Sequence, residues 1–175
     1  ARTFANRFNH RYGNVFPEPR AFNYNDELIK VPSLDNTGKM SKSENQAATL
    51  YLADDDDTIV KKIKKALTDN GPTEKNSVMP DYIENIFALM KQVSSEERLQ
   101  KYKDDFNNAS IRYGDMKKDL AEDMVAFISP IRQKAQAILN DENALNLIMQ
   151  KGAEKANKSA HATMKAVRNA MGLNY

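Results

Sequence analysis

Two ammonium groups stand three residues apart in the run Gly38-Lys39-Met40-Ser41-Lys42-Ser43, set among hydroxyls and just behind a glycine. A loop of this composition can close over a chain of phosphates. Each lysine acts as a mobile point charge, while hydroxyls and backbone amides supply directed hydrogen bonds. A polyphosphate is the ligand that suits such a loop. The run is not a P-loop, which needs Gly five residues before the Gly-Lys pair and Ser or Thr directly after the Lys; Ser33 and Met40 occupy those places. The plainer reading of the same residues is a solvated surface loop, and residue types alone leave both open.

Other chemistry-bearing residues are weaker candidates. His10 and His161 each lack a second ligand at helical spacing, so no metal site is assigned. The run Asp54 to Asp57 reads as a helix cap and dipole feature rather than a cation site. Lys61, Lys62, Lys64 and Lys65 read as a solvated face, close enough behind the loop to be a candidate RNA-facing surface. The best positive patch is Lys151, Lys155, Lys158, Lys165 and Arg168, opposed only by Glu154. It is either the exposed side of an amphipathic helix or an RNA contact, with no alternating aromatic side chains to stack on unpaired bases.

The elements that must position the loop follow from periodicity. Ala1, Phe4, Ala5 and Phe8 form one apolar stripe of a helix that lacks a capping residue, which suggests a chain cut from a longer one, although a trimmed initiator methionine gives the same appearance. Phe16-Pro17-Glu18-Pro19-Arg20 cannot continue a helix and reads as an extended connector. Leu28-Ile29-Lys30-Val31, bounded by Pro32, reads as the end of a strand, and Ser33 to Asn45 as loop. Helical patterns dominate beyond it. One runs from Thr58 to Leu67, with Ile59, Ile63, Ala66 and Leu67 on one side, and stops at Asn70-Gly71-Pro72. A second starts at Pro80 with Ile83, Ile86, Phe87 and Met90 inward. Ser94 with Glu97 forms a capping box for a third, carrying Leu99, Tyr102 and Phe106, and these two helices are expected to pair. After a break at Tyr113-Gly114-Asp115, a run from Met116 carries Leu120, Met124, Phe127, Ile128, Ile131, Ala135 and Ile138, with a bend expected at Pro130. A last helix, about 153–171, buries Ala156, Ala160, Met164, Val167 and Met171. The methionines, mostly in these stripes, read as adaptable core filler.

Composition bounds the rest. The chain has 175 residues, 41% hydrophobic and 29% charged, enough for an ordinary core and too apolar for a disordered chain. Lys plus Arg is 26 against 24 for Asp plus Glu, so net charge does not call for a polyanionic partner and any nucleic-acid surface is local. The lack of cysteine removes disulfides, thiolate metal sites and cysteine nucleophiles. No apolar run approaches the roughly 18 residues of a membrane helix, and there is no signal-peptide pattern, so a cytoplasmic location is expected.

The pentapeptide Lys39-Met40-Ser41-Lys42-Ser43 is identical to the KMSKS signature of class I aminoacyl-tRNA synthetases and resembles it in context, lying ahead of a helical region. Residues 1–13 resemble the helix before that loop in tryptophanyl-tRNA synthetases, with Arg2, Ala5, Arg7, Phe8, Asn9, Tyr12 and Gly13 at matching positions. Tyr113-Gly114-Asp115-Met116-Lys117-Lys118, Pro130-Ile131-Arg132 and Gly152-Ala153-Glu154-Lys155-Ala156 are similar to their C-terminal helices. The tyrosyl relatives usually carry a further RNA-binding module after the helices, whereas this chain ends at Tyr175.

The resemblance implies a mainly α chain, with the C-terminal remnant of a Rossmann-like α/β nucleotide-binding domain over 1–53 and an α-helical anticodon-binding domain over 54–175. It implies a two-step ligase that activates tryptophan with ATP and charges tRNA(Trp), acting as a homodimer, with Mg²⁺ entering alongside ATP. Lys39 and Lys42 would neutralise charge on the departing pyrophosphate. Ser41 and Ser43 would bond phosphate oxygens or hold the closed loop, Met40 and Val31 would lie against the adenosine, and Gly38 would give the loop its hinge. The family's HIGH-type motif and the segments that hold the tryptophan side chain have no counterpart here, so the fragment alone is expected to be inactive. Gly38 stands where many relatives have a lysine. The alternatives are a tyrosyl-tRNA synthetase fragment, or a noncatalytic helical RNA- or protein-binding module.

Overall fold

The computed structural model describes residues 1–22, 30–43 and 45–173. Its described elements are helices: α1 (Arg2–Tyr12), α2 (Asp56–Lys64), α3 (Asp81–Val93), α4 (Glu96–Asn107), α5 (Tyr113–Leu139) and α6 (Glu142–Met171), with a 3₁₀ turn at Gln46–Ala48. Of the expected strand end, Leu28 and Ile29 lie outside the described residues. Within them, the one β feature is an isolated antiparallel bridge between Pro32 and Lys39. The chain divides into two compact units, Ile29–Ala137 and Ala1–Leu28 with Ile138–Tyr175.

The first unit holds the hydrophobic core. Asp55 caps α2 by accepting a hydrogen bond from the Thr58 amide at 2.6 Å, Asp56 and Asp57 occupy the positive first turn, and lysines occupy the last. Ile59 and Ile63 are fully buried on its inner side and Ala66 joins them, but Leu67 is exposed because the helix already ends at Lys64. Just past that end the chain is held by Lys117 of α5, whose Nζ donates to Ala66 O at 2.7 Å and to Thr68 Oγ1 at 2.8 Å. Burial lowers the pKa of this ammonium.

Helices α3 and α4 pack together as their pattern predicts, burying Ile83, Ile86, Phe87, Leu89 and Met90 against Leu99, Tyr102 and Phe106. The cap between them is shifted by one residue from the expected Ser94. Ser95 Oγ accepts from the Arg98 amide at 3.2 Å, while the buried Ser94 hydroxyl has no hydrogen-bond partner among the described residues. Two adjacent serines offer two registers, and the apolar face of α4 selects the one that points Leu99 inward.

Helix α5 begins at Tyr113, so the break precedes Tyr113-Gly114-Asp115 instead of falling on it, and it runs through Pro130 to Leu139. Met116, Leu120, Met124 and Ile128 line its buried side, whereas Phe127, Ile131 and Ile138 of the expected stripe are exposed. Arg132 ties α5 to the start of α2, donating to the Asp54 carbonyl and the Asp56 carboxylate.

In the second unit, Asn9 of α1 holds the following turn. Its Oδ1 accepts from the amides of Val15 and Phe16 at 3.0 and 2.9 Å, and its Nδ2 donates to Phe16 O at 2.6 Å. The rings of Phe4 and Phe8 meet Phe16 with centroids 5.6 and 5.0 Å apart. Of the expected α1 stripe, Ala5 is buried and Phe4 remains exposed. Helix α6 starts at Glu142, eleven residues earlier than its pattern suggests, because Asp141 supplies an N-cap and Gly152 is absorbed within the helix. None of its residues is buried; Met164 and Met171 lie exposed where a buried stripe was expected, so these methionines are not core filler.

Candidate site: a lysine loop pinned at its base

The signature loop is held by a short hairpin-like pairing. Met40 N donates to Val31 O and Ser33 N to Gly38 O, both at 2.9 Å, which brings Val31–Ser33 alongside Gly38–Met40. The turn between them needs backbone that ordinary residues avoid. Asn36 sits at φ 61 and Gly38 at φ 132, the second a conformation that favours glycine. A Cβ added at Gly38 would meet no atom within 4 Å, so the requirement is one of backbone and not of space. Gly38 therefore shapes the turn and presents its carbonyl to Ser33.

Further bonds tie this turn to the rest of the unit. Leu34 N donates to Ala48 O at 3.0 Å, Leu67 N to Leu34 O at 2.9 Å, and Asn85 Nδ2 on α3 to Asn36 Oδ1 at 2.7 Å. Across the base of the loop, Asn45 Nδ2 donates to Asp35 Oδ2 at 2.7 Å. The other Asp35 oxygen accepts from the Thr37 hydroxyl at 2.7 Å and the Thr37 amide at 3.2 Å. These bonds from Thr37 and Asn45 hold the Asp35 carboxyl well below the usual carboxylate range, so it is ionised at neutral pH.

On the exit side, the buried Thr49 hydroxyl donates to Asn45 O at 3.1 Å and Ser41 O at 3.4 Å. Its carbonyl accepts from Lys62 Nζ at 2.8 Å. Lys62 is thus not part of a solvated face: its ammonium also pairs with Asp54 at 2.7 Å and lies 4.8 Å from the Tyr51 ring centroid. Lys61, Lys64 and Lys65 are exposed.

Each candidate residue has a distinct place on this frame. Lys39 and Lys42 are exposed, and neither enters any ion pair among the described residues. Lys39 borders a cleft of about 360 Å³ that is also lined by Lys30, Pro32, Gly38, Asn85 and Ala88. Ser41 and Ser43 lie with their hydroxyls 3.1 Å apart, and the Ser43 amide donates to Ser41 Oγ at 3.4 Å. Met40 packs partly buried against the core, its sulfur accepting from Leu50 N at 3.4 Å. Val31 is 43% exposed and borders an apolar groove with Met40, Leu50, Leu52 and Phe127.

The structure brings the two lysines and two serines onto one loop whose ends are bonded and whose ammonium groups are uncompensated among the described residues, an arrangement suited to an anionic ligand. Residue types did not single out Asp35, Asn45 or Thr49, and they gave Asp54 and Lys62 other roles, a helix cap and a solvated face. The local sequence held two usable signals: Asp35-Asn36-Thr37 is an Asx-turn pattern, and Asn45 is a good cap for the 3₁₀ turn, accepting from Ala47 N at 3.0 Å. Among the described residues, no group of three or more His, Cys, Asp or Glu side chains could hold a metal ion, and the carboxylates of Asp54, Asp55 and Asp56 are engaged by Lys62, the Thr58 amide and Arg132.

Comparison with known proteins finds tRNA ligases. The tryptophan–tRNA ligase of Porphyromonas gingivalis is 49% identical over 173 residues, and that of Chlamydia caviae 33% over 175; each alignment covers 98% of this chain. It covers 52% and 49% of those proteins, so the chain spans about half the length of the curated relatives it matches. The crystal structure of Campylobacter jejuni tryptophanyl-tRNA synthetase complexed with ADP and tryptophan matches 98% of the chain and 52% of its own, with a TM-score of 0.73 at 28% identity. The family model of the class I tRNA synthetases (W and Y) matches residues 1–129. With the KMSKS loop inside that span, the chain belongs to the class I tRNA synthetases of the tryptophan and tyrosine group.

Proposed function

We propose that this chain is the C-terminal half of a tryptophan–tRNA ligase, the half that brings the ATP loop and the tRNA-binding helices. Residues 1–53 serve the nucleotide-binding domain and 54–175 the helical anticodon-binding domain. The full-length protein is a cytoplasmic homodimer whose ligands are ATP, tryptophan and tRNA(Trp). The observation that carries the reading is the pair of exposed ammonium groups, Lys39 and Lys42, on a loop bonded at both ends. That the relatives at 49% and 33% identity are tryptophan–tRNA ligases supports tryptophan, and not tyrosine, as the amino acid in this reading.

In the first step the tryptophan carboxylate attacks the α-phosphorus of ATP, the bond to the bridging oxygen breaks, and pyrophosphate leaves. Negative charge builds on that leaving group in the transition state. Lys42 and Lys39 neutralise it there, an interaction spent on rate more than on ATP affinity. Ser41 and Ser43 offer hydroxyls to phosphate oxygens, and Val31 with the backbone at Met40 lies against the adenosine. Mg²⁺ brought by ATP, for which the described residues offer no carboxylate cage, would supply further charge neutralisation. In the second step the tryptophanyl group passes to the tRNA 3′ end and AMP leaves. The chain by itself, matching about half the length of such ligases, is expected to be inactive.

The test is tryptophan-dependent exchange of pyrophosphate into ATP by the full-length protein that carries this chain, compared with its Lys42→Ala form. A loss of about 10²-fold or more is expected, on the order of removing one positioned charge. An unchanged rate would remove Lys42 from the mechanism, and exchange that depends on tyrosine instead would move the protein to the tyrosyl branch.

A further inference from the structure

We propose that Asp35 and Asn45 form a clamp across the neck of the lysine loop and act as positioning residues for Lys39 and Lys42; the inference rests on the ligase reading above. Ten residues apart in sequence, the two side chains meet at 2.7 Å and close the stretch between them into one ring. Each end of the bond is fixed by a second contact. Asp35 Oδ1 is held by the Thr37 hydroxyl and amide, at 2.7 and 3.2 Å. Asn45 Oδ1 is held by the Ala47 amide at 3.0 Å. The Asn45 carbonyl is further bonded by Thr49, which also reaches Ser41 O, so a shift of Asn45 would be transmitted to the middle of the signature.

Without the clamp, the entry side of the loop would be tied by the pairing of Val31 and Ser33 with Met40 and Gly38 alone, a pairing that opens more often once the neck is released. Lys42 lies beyond that pairing, and among the described residues its restraints toward the exit are those at Asn45 and Thr49. A mobile lysine samples many positions and stabilises a developing charge poorly, so a fixed neck limits the freedom lost when the loop closes on phosphates. The clamp is thus expected to act on kcat and leave the KM for ATP nearly unchanged.

The bond pattern permits a swap test. Asn45→Asp sets two carboxylates against each other and breaks the clamp. The double variant Asp35→Asn/Asn45→Asp restores every contact with the roles reversed: the amide introduced at position 35 donates to the carboxylate introduced at position 45, and each side chain keeps an oxygen for Thr37 or Ala47. In the full-length protein, Asn45→Asp is expected to lower kcat of tryptophan-dependent pyrophosphate exchange by roughly tenfold to a hundredfold, with KM for ATP within about twofold. The double variant should recover to within about threefold of the parent. Amide hydrogen exchange at Ser33 and Met40, which report the neck directly, should accelerate in Asn45→Asp and return in the double variant.

An unchanged kcat in Asn45→Asp overturns the inference, as does a double variant as slow as the single one. If the parent shows no tryptophan-dependent exchange, the ligase reading fails. The clamp is then judged by amide exchange alone, where no acceleration in Asn45→Asp, or no reversal in the double variant, refutes it.

Discussion

The ammonium of Lys62 sits 2.7 Å from the carboxylate of Asp54, with both side chains 14% exposed, and from there it donates to the carbonyl of Thr49. One lysine of α2 thereby anchors the segment through which the signature loop returns to the helices. Asp54 in turn receives Arg132 of α5 on its carbonyl, so α5, α2 and the loop exit share one polar chain. Breaking a nearly buried pair leaves its partner charge poorly compensated. Lys62→Met is expected to lower unfolding stability by about 2–3 kcal/mol, tempered because Asp54 keeps its bond from the Tyr51 amide. Lys61→Met on the exposed side of the same helix should stay within about 0.5 kcal/mol. Chemical denaturation of the two variants compares them, and equal effects would return Lys62 to the solvated face.

Acid should loosen the loop base. The Asp35 carboxyl titrates below the usual range in the folded chain because of its bonds from Thr37 and Asn45. A group whose folded pKa is depressed stabilises fully above its unfolded value, about 3.9, and loses that contribution as pH falls through the folded pKa. Urea unfolding between neutral and acid pH should therefore show the difference between the parent and Asp35→Asn shrinking below about pH 4. Parallel curves across that window would mean that Asp35 carries no linked proton.

At Gly38 the open space where a Cβ would stand separates sterics from backbone preference. Gly38→Ala is expected to cost about 1–2 kcal/mol from the unfavourable φ alone, or to displace the turn and weaken the bond from Ser33 to its carbonyl. Amide exchange at Ser33 reads the second outcome and denaturation the first. A variant matching the parent in both would show that φ 132 is not required.

Adjacent serines provide a clean contrast at the start of α4. Ser95→Ala removes a working cap and should destabilise by about 1 kcal/mol. Ser94→Ala removes a buried hydroxyl that has no partner among the described residues and should be neutral or slightly stabilising. The reverse order, measured by thermal melts, would restore the register expected from the Ser94/Glu97 pattern.

Local pattern made most helices legible. Acids ahead of Ile59 and lysines behind it state the polarity of α2, and the spacing of Ile83, Ile86, Phe87 and Met90 states which side of α3 turns inward. Those are short-range properties of one helix and its dipole. Boundaries that depend on choosing between neighbours were less legible: Ser95 over Ser94, Tyr113 as a helix start, and Gly152 inside α6. Burial was harder still, since periodicity marks an apolar side but not whether anything covers it. Met124 and Met164 sit in similar patterns, and one is buried while the other is exposed.

Which residues can carry chemistry follows from the order of the chain, because Lys39, Ser41, Lys42 and Ser43 are consecutive enough to share one loop in any fold. What holds them is settled only by folding. Asp35 reaches Asn45, Asn85 reaches Asn36, and Lys62 reaches Thr49 once separate segments have been brought together. A hydrogen bond acts over about 3 Å, and no periodicity in a chain records which distant groups will come within that distance.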